Sequence, residues 1–321
     1  MSEDQIKQIQ MGFEDDICKE VSRLLLVNGV KYKAAFYGDA LLDFLTLNRK
    51  YIKQQARSVM LSKEITKNQS QDPDRWNQLQ NIIKIASTGG NLNRFQSRKL
   101  YEPNSHDALL YNWHIHHLHL SPNTHNKDQR FNVRTKYLLF AVIHPTTIYF
   151  LDFDSHQTDY VFAEENWLRI IINNWPSQLT PYDGDPVFSN GQAITTELRS
   201  KLWKNYCIGF TKVDGKAYVD PGIGVMSSGH SLMVVSQRNE IVRWIYEHSK
   251  FIAENKTGFE DAFLKLFNIS SDKIVYKLRL APKIQIYEQT TQDILFEYPN
   301  YMVKSTNADK ENQENPLQHS I

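Results

Sequence analysis

The sequence predicts an α+β fold in which a helical, basic N-terminal region precedes a mainly antiparallel sheet with packed helices. Three observations carry that expectation. Apolar residues recur at helical spacing through the first 87 positions, the period shortens to two from Trp113, and a strongly amphipathic stretch follows at 163–174.

The helical part reads as three segments. Positions 14–26 form the first. In the second, 39–65, Leu41, Leu42, Leu45, Ile52, Val59 and Met60 line one face, with Lys50, Lys53, Arg57 and Lys63 mostly outside it. A third helix is predicted over 75–85, with Asp72 or Asp74 as cap, and Gly89-Gly90-Asn91 ends it. The stretch 89–112 reads as an extended connection carrying Arg94, Arg98 and Lys99.

From Trp113 the residues alternate, and 136–144 and 147–156 are dense in β-branched and aromatic types. Pro145-Thr146 joins them as a two-residue hairpin turn, so that His144 faces Thr147. That register places Leu138, Phe140, Val142, Tyr149, Leu151 and Phe153 on one face and Asp152, Asp154 and His156 on the other. The helix at 163–174, stopped by Pro176, is expected to cover the apolar face. Further on, 205–219 reads as a hairpin turning at Val213-Asp214-Gly215, 231–236 as a strand, and 241–253 and 259–267 as helices. Strands are predicted within 274–287 and 294–303. The domain organisation expected is 1–88 as a basic helical region, 89–112 as a connection, 113–180 as the central sheet with its helix, 181–304 as an α+β extension, and 305–321 as a disordered tail.

Composition narrows the function classes. The chain of 321 residues has 41% hydrophobic residues, enough for a proper core. It opens Met1-Ser-Glu-Asp-Gln, without a basic head and apolar stretch, and has no apolar run long enough to span a bilayer, which predicts a soluble cytoplasmic protein with no membrane partner. Cys18 and Cys207 stand far apart, outside any C-x-x-C pattern, and read as small hydrophobes. The net charge of +1 is unevenly spread, since 49–136 holds 15 Lys/Arg against 6 Asp/Glu. Such a bias points to a polyanion such as RNA, or to a solvated helix surface beside an acidic neighbour.

The sharpest feature is the run His114-Ile115-His116-His117-Leu118-His119, since 6 of the 11 histidines fall between His106 and His125. On a strand His114 and His116 point one way and His117 and His119 the other. Either pair has H-x-H spacing for a divalent metal such as zinc or manganese. The metal set would be His117, His119, Asp154 and His156, although no cofactor is required. Without metal, His117, His119 and His156 are candidate general acids and bases, because imidazole titrates near neutrality. Arg130, Arg134 and Lys136, around the start of the next strand, are candidate phosphate contacts. A bland alternative packs these histidines as structural groups. The loop Pro221-Gly-Ile-Gly-Val-Met-Ser-Ser-Gly-His230 matches neither a P-loop nor G-x-S-x-G and reads as a tight turn. Trp113, Trp167, Trp175, Trp203 and Trp244 sit in apolar patterns and are expected in the core.

The segment from Arg134-Thr-Lys-Tyr-Leu-Leu-Phe to Ile148-Tyr-Phe-Leu-Asp-Phe-Asp-Ser-His156-Gln-Thr-Asp-Tyr160 resembles the closing sheet of RelE-like ribonuclease toxins. Gln157 stands where that pattern has arginine, and Tyr160 comes one position early. The resemblance implies His156 and Tyr160 at a strand end beside the cleft, Arg134 on phosphate, and an antitoxin or other protein as partner. The stretch Asn112-Trp113-His114-Ile115-His116-His117-Leu118-His119-Leu120 also resembles uncharacterised bacterial proteins. The functional expectation is a histidine-based nucleic-acid phosphodiesterase, a ribonuclease of toxin or phage-defence type. The alternatives are a metal-dependent hydrolase on the H-x-H strand and a non-enzymatic module that binds nucleic acid or protein.

Overall fold

Pairing of the two most β-prone stretches of the sequence makes the centre of the fold. In a computed structural model of the chain, residues 3–27, 29–30, 36–102, 105–182, 194–204 and 210–299 are described. Along it run α1 (Glu3–Val27), α2 (Tyr37–Lys50), β1 (Ser58–Leu61), α3 (Lys63–Gln71), α4 (Pro73–Thr88), α5 (Ala108–Trp113), β2 (Ile115–His119), β3 (Tyr137–Ile143) and β4 (Thr147–Ser155). There follow α6 (Asn166–Asn174), α7 (Thr196–Lys204), β5 (Phe210–Val213), β6 (Lys216–Val219), α8 (Leu232–Glu254), α9 (Lys256–Phe267), β7 (Tyr276–Arg279), β8 (Gln285–Glu288) and β9 (Ile294–Glu297). The fold is α+β, with N-terminal helices, a mixed sheet and packed C-terminal helices. The chain divides into two units, Arg49–Val235 and Met1–Asn48 with Ser236–Ile321.

The first of these units is built on a four-stranded sheet in the order β1-β4-β3-β2, antiparallel except for the parallel pair β1 and β4. His144 N donates to Thr147 O at 2.9 Å, so the turn at Pro145-Thr146 has the expected register, and Ile143, Val142 and Ala141 pair with Ile148, Tyr149 and Phe150. Between Phe140 and Ala141 the register then slips by one, because Leu151 is an extra residue on β4. A bulge of this kind re-aims everything beyond it. Phe153 therefore joins the cluster of Phe150 and Leu139, not that of Phe140, as strict alternation had predicted. Asp154 is brought opposite Leu138, onto the face of Phe140.

Helices cover both faces. On one, Ile65 of α3 and Leu79, Ile82 and Ala86 of α4 pack on Leu118, Leu139, Ala141 and Phe150. On the other, Trp113 of α5, Trp167 and Ile171 of α6 and Trp203 of α7 pack on Ile115, Leu138, Phe140 and Leu151. Phe140, with no exposed surface, stacks on Trp167 at 3.9 Å. Burying such a ring stabilises by about 1.5–3 kcal/mol. The helix at 163–174 thus takes its expected place, beginning at Asn166.

Two readings of the sequence give way. The helix expected over 39–65 ends at Lys50, and Ser58–Leu61 is a strand instead. Backbone pairing decides it, since Ser58 N donates to Thr146 O and Ser62 N to Phe150 O, while the Ser62 hydroxyl caps α3 by accepting from Ile65 N. The strand expected over 231–236 is the first turn of α8, whose buried Val234, Ile241, Ile245 and Ile252 follow helical spacing. Asp72 caps α4 as expected, and Gly89, at φ 78°, closes it in the left-handed conformation.

In the second unit β7, β8 and β9 form an antiparallel sheet. Asp16 of α1 holds it, bonding Lys277 Nζ and Leu278 N, each at 3.1 Å. Cys18 is a free, partly buried thiol. Cys207 and the tail expected from 305 lie outside the described residues. Among the described residues no helix is long and apolar enough to cross a membrane.

Candidate functional site

The histidine run does not form one continuous strand. His114 is the C-cap of α5 in the left-handed conformation (φ 58°), and β2 starts after it at Ile115. His114 therefore sits just off the strand, with its ring near both His116 and His144, at centroid distances of 6.3 and 5.9 Å. His116, buried at 5% exposure, lies opposite Ala141. His117 and His119 lie opposite Phe140 and Leu138, so they share the face that Asp154 occupies after the bulge.

His117 and His156 meet at Phe162. Their rings lie 5.0 Å and 5.5 Å from the Phe162 ring. The His117 side chain keeps 20% of its surface, and its Nδ1 is 3.7 Å from Asp107 Oδ2, too far for a hydrogen bond. Burial pushes the His117 pKa down; Asp107 opposes that shift, and the charges of His156 and Arg134 reinforce it. His119, 3% exposed, is pushed down to about 4, first by burial and then by the charges of His117, Arg134 and His156. Its Nδ1 accepts from Thr135 N at 3.3 Å, which fixes a neutral ring.

Exposed His156 opens onto a cleft of about 550 Å3 whose lining includes His106, Tyr160, Phe162, Trp203 and Lys204. No protein-family model matches the sequence, and no curated protein or solved structure matches it. The chemistry of the cleft is therefore read from its own residues. It presents two exposed imidazoles, those of His106 and His156, and the Phe162 ring, behind which half-buried His117 packs.

The other expected residues are scattered in role. Arg134 and Lys136 are exposed, the first donating to Ser97 Oγ at 2.7 Å, and His156 N donates to Lys136 O at 2.8 Å. Tyr160 is 44% exposed on the cleft wall. Arg130 is held by both carboxylate oxygens of Asp128, at 2.9 and 2.8 Å, and lies over the Tyr101 ring. Asp154 Oδ1 accepts from Thr158 Oγ1 and Ser155 N. Among the described residues no group of three His, Cys, Asp or Glu is placed to hold a metal ion, so His117, His119, Asp154 and His156 do not form one. His230 packs edge-on to His106 at 5.9 Å, and its loop spends the N–H groups of Gly222 and Gly224 on Asn112 O and Tyr111 O.

Asp107, His106, Phe162 and Lys204 were not singled out from the sequence. Asp107 had a legible signal, because it precedes Ala-Leu-Leu as the N-cap of α5, accepting from Leu110 N at 3.0 Å. Phe162 had none, since a short helical turn after β4 brings it to the site.

Proposed function

We propose that this protein is a histidine-based phosphodiesterase acting on RNA, of the toxin or defence type. The observation that carries the reading is the placement of His117 and His156 on one aromatic side chain, within reach of Arg134's charge. His117, driven toward its neutral form, is the general base that removes the ribose 2′-hydroxyl proton. The oxygen so freed attacks phosphorus, and His156 protonates the departing 5′-oxygen, leaving a 2′,3′-cyclic phosphate. Arg134, with Lys136 nearby, offsets the charge on the phosphorane. Phe162 and Tyr160 offer faces for a base to stack on. His119 is a positioning residue behind this pair, and Arg130, already neutralised by Asp128, takes no part. The hairpin's resemblance to RelE-like toxins points the same way. The donor geometry favours acid–base chemistry over the metal-dependent alternative.

The test is cleavage of single-stranded RNA by the full chain and by His117→Ala and His156→Ala, with folding followed by circular dichroism. Each substitution is expected to lower kcat/KM by about 10²–10⁴-fold. Unchanged cleavage in both folded variants overturns the assignment. Absence of cleavage by the wild type replaces it with a binding module.

A further inference from the structure

A second cavity, of about 190 Å3, lies at the opposite end of the same sheet face, lined by Arg49, His114, His144 and Gln178 on its polar side. His114 precedes β2 and His117 lies three residues further along, so roughly 10 Å of chain separates the two along that strand. The cavity's remaining walls are aliphatic, with Val142, Ile171 and Leu179 among them.

Arg49 is the informative residue. Its Nη1 donates to Met233 Sδ at 2.8 Å, while Nε and Nη2 are buried without a partner. Leaving charged donors desolvated and unpaired destabilises a fold, and such groups in a native structure call for an explanation. Nε and Nη2 form one side of the guanidinium fork, the edge that grips a carboxylate through two parallel bonds. Among the described residues no carboxylate fills it. Asp107, whose charge reaches Arg49, spends Oδ1 on capping α5 and aims Oδ2 toward His117. The imidazole of His144, inclined by 31° to that of His114, adds an N–H donor that the ring does not have to be charged to supply.

We propose that this cavity binds a small organic acid, a carboxylate on a compact apolar body, with the carboxylate held by Arg49 and His144 and the body against the aliphatic wall. The size supports a ligand of few atoms, because drug-sized ligands occupy about 300–1,000 Å3. The apolar walls favour such an acid over free phosphate, which would leave most of its oxygens without donors. The inference is independent of the proposed reaction, since none of the groups assigned to that chemistry lines the cavity.

Calorimetric titration of the full chain with benzoate tests it, with benzyl alcohol as the neutral probe and inorganic phosphate as the anion lacking a body. Saturable benzoate binding is expected, weakened about tenfold or more in Arg49→Gln, with benzyl alcohol and phosphate each binding at least about tenfold more weakly. The proposal fails if benzoate does not saturate, if Arg49→Gln binds it equally well, or if either control matches it. Should Arg49→Gln not fold, His144→Phe removes an N–H donor from the wall while keeping a ring of similar size, and undiminished benzoate binding in that variant also overturns the site.

Discussion

Asp220 is 3% exposed, and its Oδ1 accepts from Trp113 Nε1 at 3.1 Å and Thr211 Oγ1 at 2.8 Å, while Oδ2 has no partner. Burial pushes its carboxyl up to about 7, against the pull of Thr211, Trp113 and the Arg199 charge. A carboxyl raised in this way holds its proton in the folded chain but loses it in the unfolded one between about pH 4 and 7. Stability from this group therefore falls as pH rises through that window and stays low above it. Asp220→Asn mimics the protonated acid, so it is expected to stabilise at pH 8 by on the order of 2–4 kcal/mol and to change little at pH 4. Urea unfolding at the two pH values measures this, and an equal effect at both would show that Asp220 is not protonated in the fold. His119 has the opposite sign. Its folded pKa, about 4, lies below the unfolded value near 6.5, so its contribution is complete above pH 6.5 and is lost as pH falls toward 4. His119→Gln should flatten the acid side of the stability profile, on the order of 2 kcal/mol between pH 7 and 4. A profile as steep as the wild type's would move the acid sensitivity to another group.

Between β6 and α8 the glycine-rich loop is a packing element. A Cβ on Gly222 would lie 2.3 Å from Tyr111 O, so Gly222→Ala has to displace α5, the helix that ends at His114. Overpacking of this kind costs about 1–3 kcal/mol, whereas Gly258→Ala, in open space on α9, should stabilise by about 0.5–1 kcal/mol. Denaturant midpoints of the two variants give the comparison, and a Gly222→Ala midpoint at or above that of the wild type would show a loop free to move. The elements legible in the sequence were those fixed locally, namely the β3–β4 turn, the Asp72 cap and Gly89 stop of α4, and the apolar stripe of α6. Those missed were fixed at a distance. Nothing local in Ser58–Leu61 distinguishes a strand from a helix turn; pairing with β4 decides it. The bulge at Leu151 is equally silent, yet that one residue moves Asp154, and the chain leading to His156, onto the face of His117. Strand parity alone placed His156 across the sheet from Phe140, and so the site was legible as a set of residues but not as a geometry.

Across the whole chain, the basic bias of 49–136 looks like a polyanion surface, but much of it is spent internally. Buried Lys50 gathers Glu102 O at 2.7 Å, Ser105 Oγ at 3.0 Å and Lys99 O at 3.2 Å. Arg57 bonds His144 O and Gln55 O, Arg75 pairs with Asp72 and covers the Tyr137 ring, and Arg94 bonds Asn132 and Thr124. With Arg130 on Asp128, these cations act as hydrogen-bonding struts for a region that has few strands. A basic sequence cluster thus need not be a basic patch. The exposed cations assigned to phosphate are Lys204 on the cleft lining, Arg134, whose charge reaches His117, and Lys136, whose carbonyl accepts from His156 N. Each phosphate neutralised on a single strand contributes about −0.7 to the slope of log Kobs against log salt, so three contacts give a slope of about −2. Fluorescence anisotropy with a labelled RNA, titrated from about 50 to 200 mM salt with the His156→Ala variant to suppress cleavage, reads that slope. Arg134→Gln should make it shallower by about 0.7, while Arg94→Gln should leave it unchanged. A slope of about −5 or steeper in His156→Ala alone would instead require seven or more phosphate contacts, and would restore the broad electrostatic surface that the internal pairing argues against.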